Sequence, residues 1–444
     1  MEYLTGVKPK ETKEISELLE QVEAGAKVKV NGAVHTIRDM GTVAFVILRK
    51  REGLLQCVYE EGSADFELKD IKEAATVEVE GVLEENEKAP NGIEIRMESV
   101  KILSEPEDEM MPLAISKWKL NTSLEAKLNY RSISLRNIRE RAKFRIQEGL
   151  TRAFRDFLYS QEFTEIHTPK IGAKGAEGGA NIFKLEYFHK PAVLAQSPQF
   201  YKQMMVGVFD RVFETAPVFR AEKHNTKRHL NEYTSLDFEM GYIDGFEDIM
   251  AMETGFLQYT MELLKKEYAR ELQILNVEVP KTDNIPAVRF DEIKRLVSEK
   301  YDRKIKNPFD LEPEEETLIS RYAKEEWDAD FVFVTHYPSK KRPFYAMDDP
   351  EDPTYTLSFD LLFRGMEITT GGQRIHDYHE LLAKMEKRGM TDEGMEQYLS
   401  AFKHGMPPHG GLGIGMERLT MKMMNEDNVR ETTLFPRDLS RLEP

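Results

Sequence analysis

The stretch FRAEKHNTKRHLNEYTSLDFEM, residues 219–240, sets Arg220, Lys223, Lys227 and Arg228 among Glu222, Glu232, Asp237 and Glu239. Apolar and aromatic residues frame it, at Phe219 and from Tyr233 to Met240. The pattern reads as two antiparallel strands joined by a long basic loop. Arg220 and Glu222 lie two apart and share one strand face. A guanidinium there can pair with a phosphate, and a carboxylate can accept from the exocyclic amine of a base. Lys227, Arg228 and His229 can reach further phosphates or an incoming polyanion. The plain alternative is a surface hairpin with cross-strand ion pairs.

Two more clusters carry chemistry. In SFDLLFRGMEITTGGQRIH, residues 358–376, Asp360 and Glu367 flank a turn at Arg364-Gly365. With Thr370 they would form a hard oxygen site suited to Mg²⁺ on a nucleotide polyphosphate. Gly371-Gly372 allows close backbone approach, and Arg374 follows; a solvated hairpin is the alternative. His376 and His379, at a helix start, are a weak metal signal. In HGMPPHGGLGIGMERL, residues 404–419, four glycines precede a helix bearing Arg418. It is not a Walker loop, because no Gly-Lys-Ser/Thr follows, and a glycine strand packed on a helix would look the same.

The elements that must position these groups fall into two regions. Residues 12–24 suggest a short amphipathic helix. From Lys27 to Leu103, five alternating runs with turns at Arg51-Glu52-Gly53 and Pro90-Asn91-Gly92 suggest a Greek-key barrel of the OB type. We therefore expect an N-terminal helix and barrel over 1–104, a linker over 105–136, and a second domain over 137–444. The second domain starts with a helix whose Ile146, Leu150, Ala153, Phe154, Phe157 and Leu158 make one apolar face. Strands are expected at 192–196, 210–222, 232–243, 330–336, 356–363 and 365–370, mixed with helices rather than alternating βαβ. The fold class is α+β, an antiparallel sheet with flanking helices, and the charged helical stretch 245–328 reads as an insertion.

The 444 residues carry a net charge of −17, which excludes a general nucleic-acid coat but not local basic patches. One cysteine, Cys57, excludes internal disulfides and cysteine-built zinc sites, and fits a cytoplasmic setting. No run approaches a membrane span, and the opening MEYLTGVKPKE has no apolar leader core.

Taken together, FTEIHTPKI, FRAE…RHLNEYTSLDFEM and GLGIGMERL resemble the three motifs of class II aminoacyl-tRNA synthetases, within them the aspartyl branch of archaeal and eukaryotic type. The resemblance implies ATP and L-aspartate as substrates, Mg²⁺ as cofactor, a homodimer, and an anticodon-reading barrel. By it, Arg220 grips the α-phosphate and Arg418 the γ-phosphate, as the catalytic arginines. Glu222 meets the adenine amine, with Arg228, His229 and Glu367 completing the ATP site. Asp360, Glu367 and Thr370 hold the metal; many relatives have serine at the place of Thr370, so the hydroxyl is kept. QSPQFYKQ, residues 196–203, resembles the aspartate-binding segment. Lys202 and Arg374 would pair the substrate side chain, Gln199 would hydrogen-bond it, Glu177 and Asp237 would hold its ammonium, and Thr370 would border it.

In the barrel, Phe45 offers a stacking platform, Gln56 a base-edge hydrogen bond, and Arg38 a contact to the anticodon or its backbone. Lys50 stands where an aspartate is usual and is expected to add charge near the RNA face. Strict relatives often carry tryptophan at the place of Ala33 and lysine at that of Pro90. Ala33, His35 and Pro90 therefore imply a roomier third-base pocket, and aspartate placed on both tRNA(Asp) and tRNA(Asn). Rival readings are an asparaginyl-tRNA synthetase, a tRNA-independent asparagine-making paralogue, which would lack the barrel, and a non-catalytic RNA-binding paralogue.

Overall fold

The computed structural model describes residues 10–443 except 22, 109, 176–180 and 224–225. The chain divides into two compact units, 1–140 and 141–444.

In the first unit, five strands close a barrel in the order β1-β2-β3-β5-β4. They are β1 (Lys27–Asp39), β2 (Val43–Arg49), β3 (Leu54–Glu60), β4 (Thr76–Glu85) and β5 (Ile93–Ser104). The period-2 pattern builds them: Val30, Val46, Leu48, Leu55, Cys57, Val77, Val79 and Ile95 are fully buried. Ile15 and Leu18, from the short helix Ile15–Gln21, join this core. Lys50 departs from expectation. Its side chain is buried, with Nζ donating to Asn31 O at 2.7 Å and Asn31 Oδ1 at 3.1 Å, and Glu14 at 3.6 Å. It ties β1 to the segment before the helix rather than adding charge to a surface.

The second unit is built on an eight-stranded sheet and a small three-stranded one among the described residues. In chain order the strands are β6 (Thr164–Glu165), β7 (Ile171–Gly172), β8 (Lys184–Tyr187), β9 (Lys190–Leu194), β10 (Arg211–Phe219), β11 (Glu232–Gly241), β12 (Ala287–Arg289), β13 (Phe331–Thr335), β14 (Ser358–Phe363), β15 (Met366–Arg374) and β16 (His409–Gly415). The large sheet runs β12-β13-β14-β15-β16-β11-β10-β6. Its six inner strands are antiparallel, as expected, while both edge pairs, β12·β13 and β10·β6, are parallel. The small sheet is β7-β9-β8.

Alternation along these strands separates two faces. Phe238, Phe359 and Leu412 go to the core, where they meet Ile146, Leu150, Phe154 and Leu158 of the helix Ile138–Ser160. Phe154 packs edge-on against Phe213 and Phe256 at 5.8 and 5.3 Å between ring centroids. Removing that ring would cost about 3–5 kcal/mol. The stretch 245–328 contributes to the same layer. Phe256, Leu257 and Leu264 of the helix Glu247–Glu267 are fully buried in the core, and β12 adds an edge strand.

Candidate active site

The opposite face of the large sheet opens into a cleft of ≈ 610 Å³. Pairing register lays its floor. Asp360 lies opposite Thr370, Thr370 opposite Gly413, and Gly413 opposite Asp237. Directly opposed residues point to the same side, so these strands send their polar groups to one surface. One row along, Gly372, Gly411 and Glu239 are aligned. A Cβ on Gly411 would stand 2.1 Å from Glu239 Oε2, so glycine there makes room for the acid.

The β14–β15 hairpin turns on Arg364-Gly365, both at positive φ (46° and 84°), as a two-residue turn of this hand requires. A bulge near Leu361/Leu362 inserts one extra residue on β15. That changes the parity, so Glu367 and Thr370, three apart, reach the same side. Thr370 Oγ1 donates to Glu367 Oε1 at 3.1 Å.

At one end stand the cations and acids of the β10–β11 loop. Strand β10 stops at Phe219, so Arg220 sits just beyond it. Asn231 clasps the loop, its Nδ2 donating to Arg220 O at 2.8 Å and Glu222 O at 3.0 Å. The Arg220 guanidinium lies 5.9 Å from the Tyr233 ring centroid. His229 Nε2 is 3.5 Å from Glu222 Oε2, and burial holds its imidazole pKa below the ordinary value. Arg418 donates to Arg228 O at 3.3 Å and Glu367 O at 3.2 Å.

Deeper lies a charged pocket. Lys202 Nζ is 2.9 Å from Asp237 Oδ1 and 3.3 Å from Glu239 Oε2, and donates to Leu412 O at 2.8 Å. Arg374 Nε donates to Glu239 Oε1 at 2.8 Å, and its Nη2 to Gly411 O at 2.9 Å. Glu239 is 0% exposed and Lys202 2%. Burial pushes the Glu239 carboxyl up, but Arg374 and Lys202 outweigh it and hold the pKa below its usual value. Gln199 is buried beside them, and its Nε2 finds no partner among the described residues. Such a donor is costly unless a ligand satisfies it.

At the far wall, Asp360 Oδ1 accepts from Arg342 Nη2 at 2.7 Å. Burial pushes the Asp360 carboxyl up, Arg342 opposes this, and Glu367 adds to it, leaving a pKa of about 6.

Thus Gln199, Lys202, Arg220, Glu222, Arg228 and His229 line one cleft together with Asp237, Asp360, Glu367, Thr370, Arg374 and Arg418. Glu177 lies outside the described residues. His379 is exposed at a helix start, where Asp377 caps its backbone N–H. Three participants escaped the sequence reading. Glu239 shares the alternation of Asp237, a signal that was available. Glu316, from the helix Pro313–Trp327, pairs with Arg228 and accepts the Glu367 N–H at 2.9 Å, but in sequence it is one glutamate in an acidic run. Arg342 is the last cation of Lys340-Lys341-Arg342 and reads as a solvated turn.

In the barrel, Arg38 lies opposite Phe45, and Ile47 opposite Gln56. All three polar or aromatic candidates alternate with the buried Val46, Leu48, Leu55 and Cys57, so they stand on the outer face. Gln56 is largely covered, its Nε2 donating to Glu94 Oε2 at 2.7 Å. Ala33 is aligned with Arg49, and Arg49 with Leu54. Asn91 Nδ2 donates to Leu54 O at 2.9 Å, bringing the Pro90–Gly92 turn to the same rim. His35 occupies a bulge in β1 and is buried.

Comparison with known proteins gives two family matches. Residues 123–439 match tRNA synthetases class II (D, K and N), and residues 28–103 match the OB-fold nucleic acid binding domain. A relative from Deinococcus radiodurans named Aspartate--tRNA(Asp/Asn) ligase is 46% identical over 95% of this chain and 96% of its own. One from Pyrococcus furiosus named Aspartate--tRNA(Asp) ligase is 40% identical over 97% of this chain and 98% of its own. Among solved structures, asparaginyl-tRNA synthetase from Pyrococcus horikoshii, complexed with asparaginyl-adenylate, is similar with a TM-score of 0.86 and 31% identity. The match covers 95% of this chain and 97% of that one.

Proposed function

The chain belongs to the class II tRNA synthetases of the D, K and N group, and within that family we propose that it is an aspartate–tRNA ligase. The observation that carries this reading is the gathering of two buried cations, Lys202 and Arg374, in the same cleft as the Arg220 and Arg418 pair.

In the proposed reaction, an α-carboxylate oxygen of aspartate attacks the α-phosphorus of ATP in line. The bond from that phosphorus to the bridging oxygen breaks, and pyrophosphate leaves. The terminal ribose hydroxyl of tRNA then attacks the acyl carbon, forming the ester and releasing AMP and a proton. No protein nucleophile is required; positioning and charge neutralisation do the work. Arg220 holds the α-phosphate and opposes the charge that develops there. Glu222 accepts from the adenine amine, and Arg228 and His229 border the nucleotide. Arg418 takes the γ-phosphate end.

The amino-acid pocket has the charges aspartate needs. Lys202 and Arg374 face the side-chain carboxylate, Gln199 donates to it, and Asp237 accepts from the ammonium. An asparagine amide would leave the cations short of a negative partner in a buried site, which costs orders of magnitude in selectivity.

The acids at 360 and 367 fit a hard cation carried by the nucleotide. Among the described residues no group of three or more His, Cys, Asp or Glu side chains could form a metal site. Two carboxylates and the Thr370 hydroxyl do converge, and Mg²⁺ commonly takes its remaining ligands from phosphate and water. When bound there, Mg²⁺ would neutralise polyphosphate charge.

The barrel would read the anticodon through Arg38, Phe45 and Gln56. The rim formed by Ala33 and the Pro90 turn supports charging of both tRNA(Asp) and tRNA(Asn), as the name of the Deinococcus relative does for that protein. We take the working form as a cytoplasmic homodimer. No helix among the described residues is long and apolar enough to cross a membrane.

Amino-acid-dependent ATP–pyrophosphate exchange tests the reading. Aspartate alone should support exchange. Exchange supported by asparagine and not aspartate would overturn it in favour of an asparaginyl enzyme.

A further inference from the structure

Between β13 and β14, a short turn, Ser339–Lys341, leads into Arg342. Lys340, Lys341 and Arg342 line the same cleft as Arg220, Arg228 and Arg418. The turn is anchored on several sides. Ser339 N donates to Thr354 O at 2.8 Å, Ser339 Oγ to Asp348 Oδ1 at 2.6 Å, and Arg388 Nη2 to Ser339 O at 2.7 Å. Arg342 is itself about nine-tenths buried. Its guanidinium carbon lies 3.9 Å from the Tyr337 ring centroid, and its Nη2 holds Asp360 Oδ1 at 2.7 Å. Its Nε finds no partner among the described residues.

This is a rigid cation on one oxygen of an acid assigned to the metal. A guanidinium stacked on a ring is itself held in place, so the position of its one bond to Asp360 Oδ1 is set, as a flexible ammonium's is not. We propose that Arg342 is a positioning residue for adenylate formation, setting the Asp360 carboxylate for the cation on the polyphosphate. Lys340 and Lys341 line the same cleft, Lys341 Nζ 3.2 Å from Asp310 Oδ2 and Lys340 Nζ 5.2 Å from the Phe309 ring centroid. The proposal rests on the reading of the cleft as an ATP and aspartate site, and adds a third arginine to it. Its signature is a loss confined to the nucleotide and its divalent ion, because Arg342 contacts neither Lys202 nor Arg374.

The test uses the full-length protein with Arg342→Gln and Arg342→Lys. Measured quantities are the aspartate-dependent exchange, with separate KM values for ATP and aspartate, the Mg²⁺ concentration dependence, and calorimetric binding of Mn²⁺ with ATP. For Arg342→Gln we expect a tenfold or greater rise in the Mg²⁺ or ATP requirement, weaker Mn²⁺·ATP binding, and an aspartate KM within twofold of wild type. Arg342→Lys should recover only part of the loss, because it keeps the charge without the planar group stacked on Tyr337. If Arg342→Gln does not fold, the lysine variant decides by the same measurements. Unchanged Mg²⁺ and ATP dependence in a folded variant, or a loss confined to aspartate, would overturn the proposal. Wild-type protein without aspartate-dependent exchange would instead overturn the underlying reading, so the two failures are separate.

Discussion

Arg374 and Glu239 form a buried ion pair, Nε to Oε1 at 2.8 Å, although 135 residues separate them in the chain. Arg374 and Lys202 together hold the Glu239 carboxyl ionised against the cost of burial. Arg374→Leu removes both the proposed substrate contact and the main counter-charge of Glu239. We expect aspartate-dependent exchange to fall at least 100-fold while ATP binding, measured by calorimetry, stays within a few-fold. Stability should drop by about 3 kcal/mol, the usual cost of breaking a buried pair from one side. Near-wild-type exchange at low aspartate would remove Arg374 from the pocket.

Glu253 tests the sheet from behind. It is fully buried and accepts from Thr369 Oγ1 at 2.6 Å, and burial pushes its carboxyl up to about 8. The folded pKa lies above the ordinary 4.5, so between those values the folded state keeps a proton that the unfolded state has released. Its contribution to stability is therefore complete below about pH 4.5 and is lost as pH rises through 8. Glu253→Gln mimics the protonated form at every pH. Denaturant titrations from pH 5 to 9 should show the variant gaining on wild type as pH rises, by on the order of 3 kcal/mol at the alkaline end. Parallel curves would mean that Glu253 does not titrate in this window.

Asp360→Ala and Glu367→Ala should each slow adenylate formation and raise the Mg²⁺ needed for half-maximal rate by tenfold or more. Single-turnover adenylate formation across a Mg²⁺ series reads this directly. A Mg²⁺ profile unchanged in both variants would leave the two carboxylates as ordinary cleft acids.

The barrel rim makes a separate prediction about RNA choice. Ala33→Trp should restore discrimination, reducing aspartylation of tRNA(Asn) by tenfold or more and leaving that of tRNA(Asp) within a few-fold. Rejection needs a clash or an unpaired group against the wrong base, and a bulky ring at the Ala33 rim supplies one. Both transcripts must be compared at equal concentration and salt, because RNA affinity varies strongly with ionic strength. A wild-type preference of several hundredfold for tRNA(Asp) would defeat the underlying idea.

Much of this site was legible in the chain itself, because its signals are local. Alternation in KVKVNGAVHTI and TVEVEGVLE set barrel strands, and Arg364-Gly365 set a hairpin. Arg220, Glu222, Asp360, Glu367 and Arg418 stood out by type and spacing as candidates, and the fold gathers them in one cleft. What stayed hidden depends on contacts between distant segments. Lys50 looked like a surface charge until the strands closed around it and Asn31 satisfied it. The bulge that turns Glu367 to the side of Thr370 is invisible without the pairing register. So are the parallel edge strands, since β6 and β12 are too short to carry a pattern. Glu316 and Arg342 read as solvent-facing charges because a run of like residues gives no hint of what will pack against it. The sequence by itself determined which charges exist and which local elements hold them. Only the tertiary structure decided which charges meet, because pairing Glu239 with Arg374 and Asp360 with Arg342 requires strand register and burial, and those arise when the whole sheet forms.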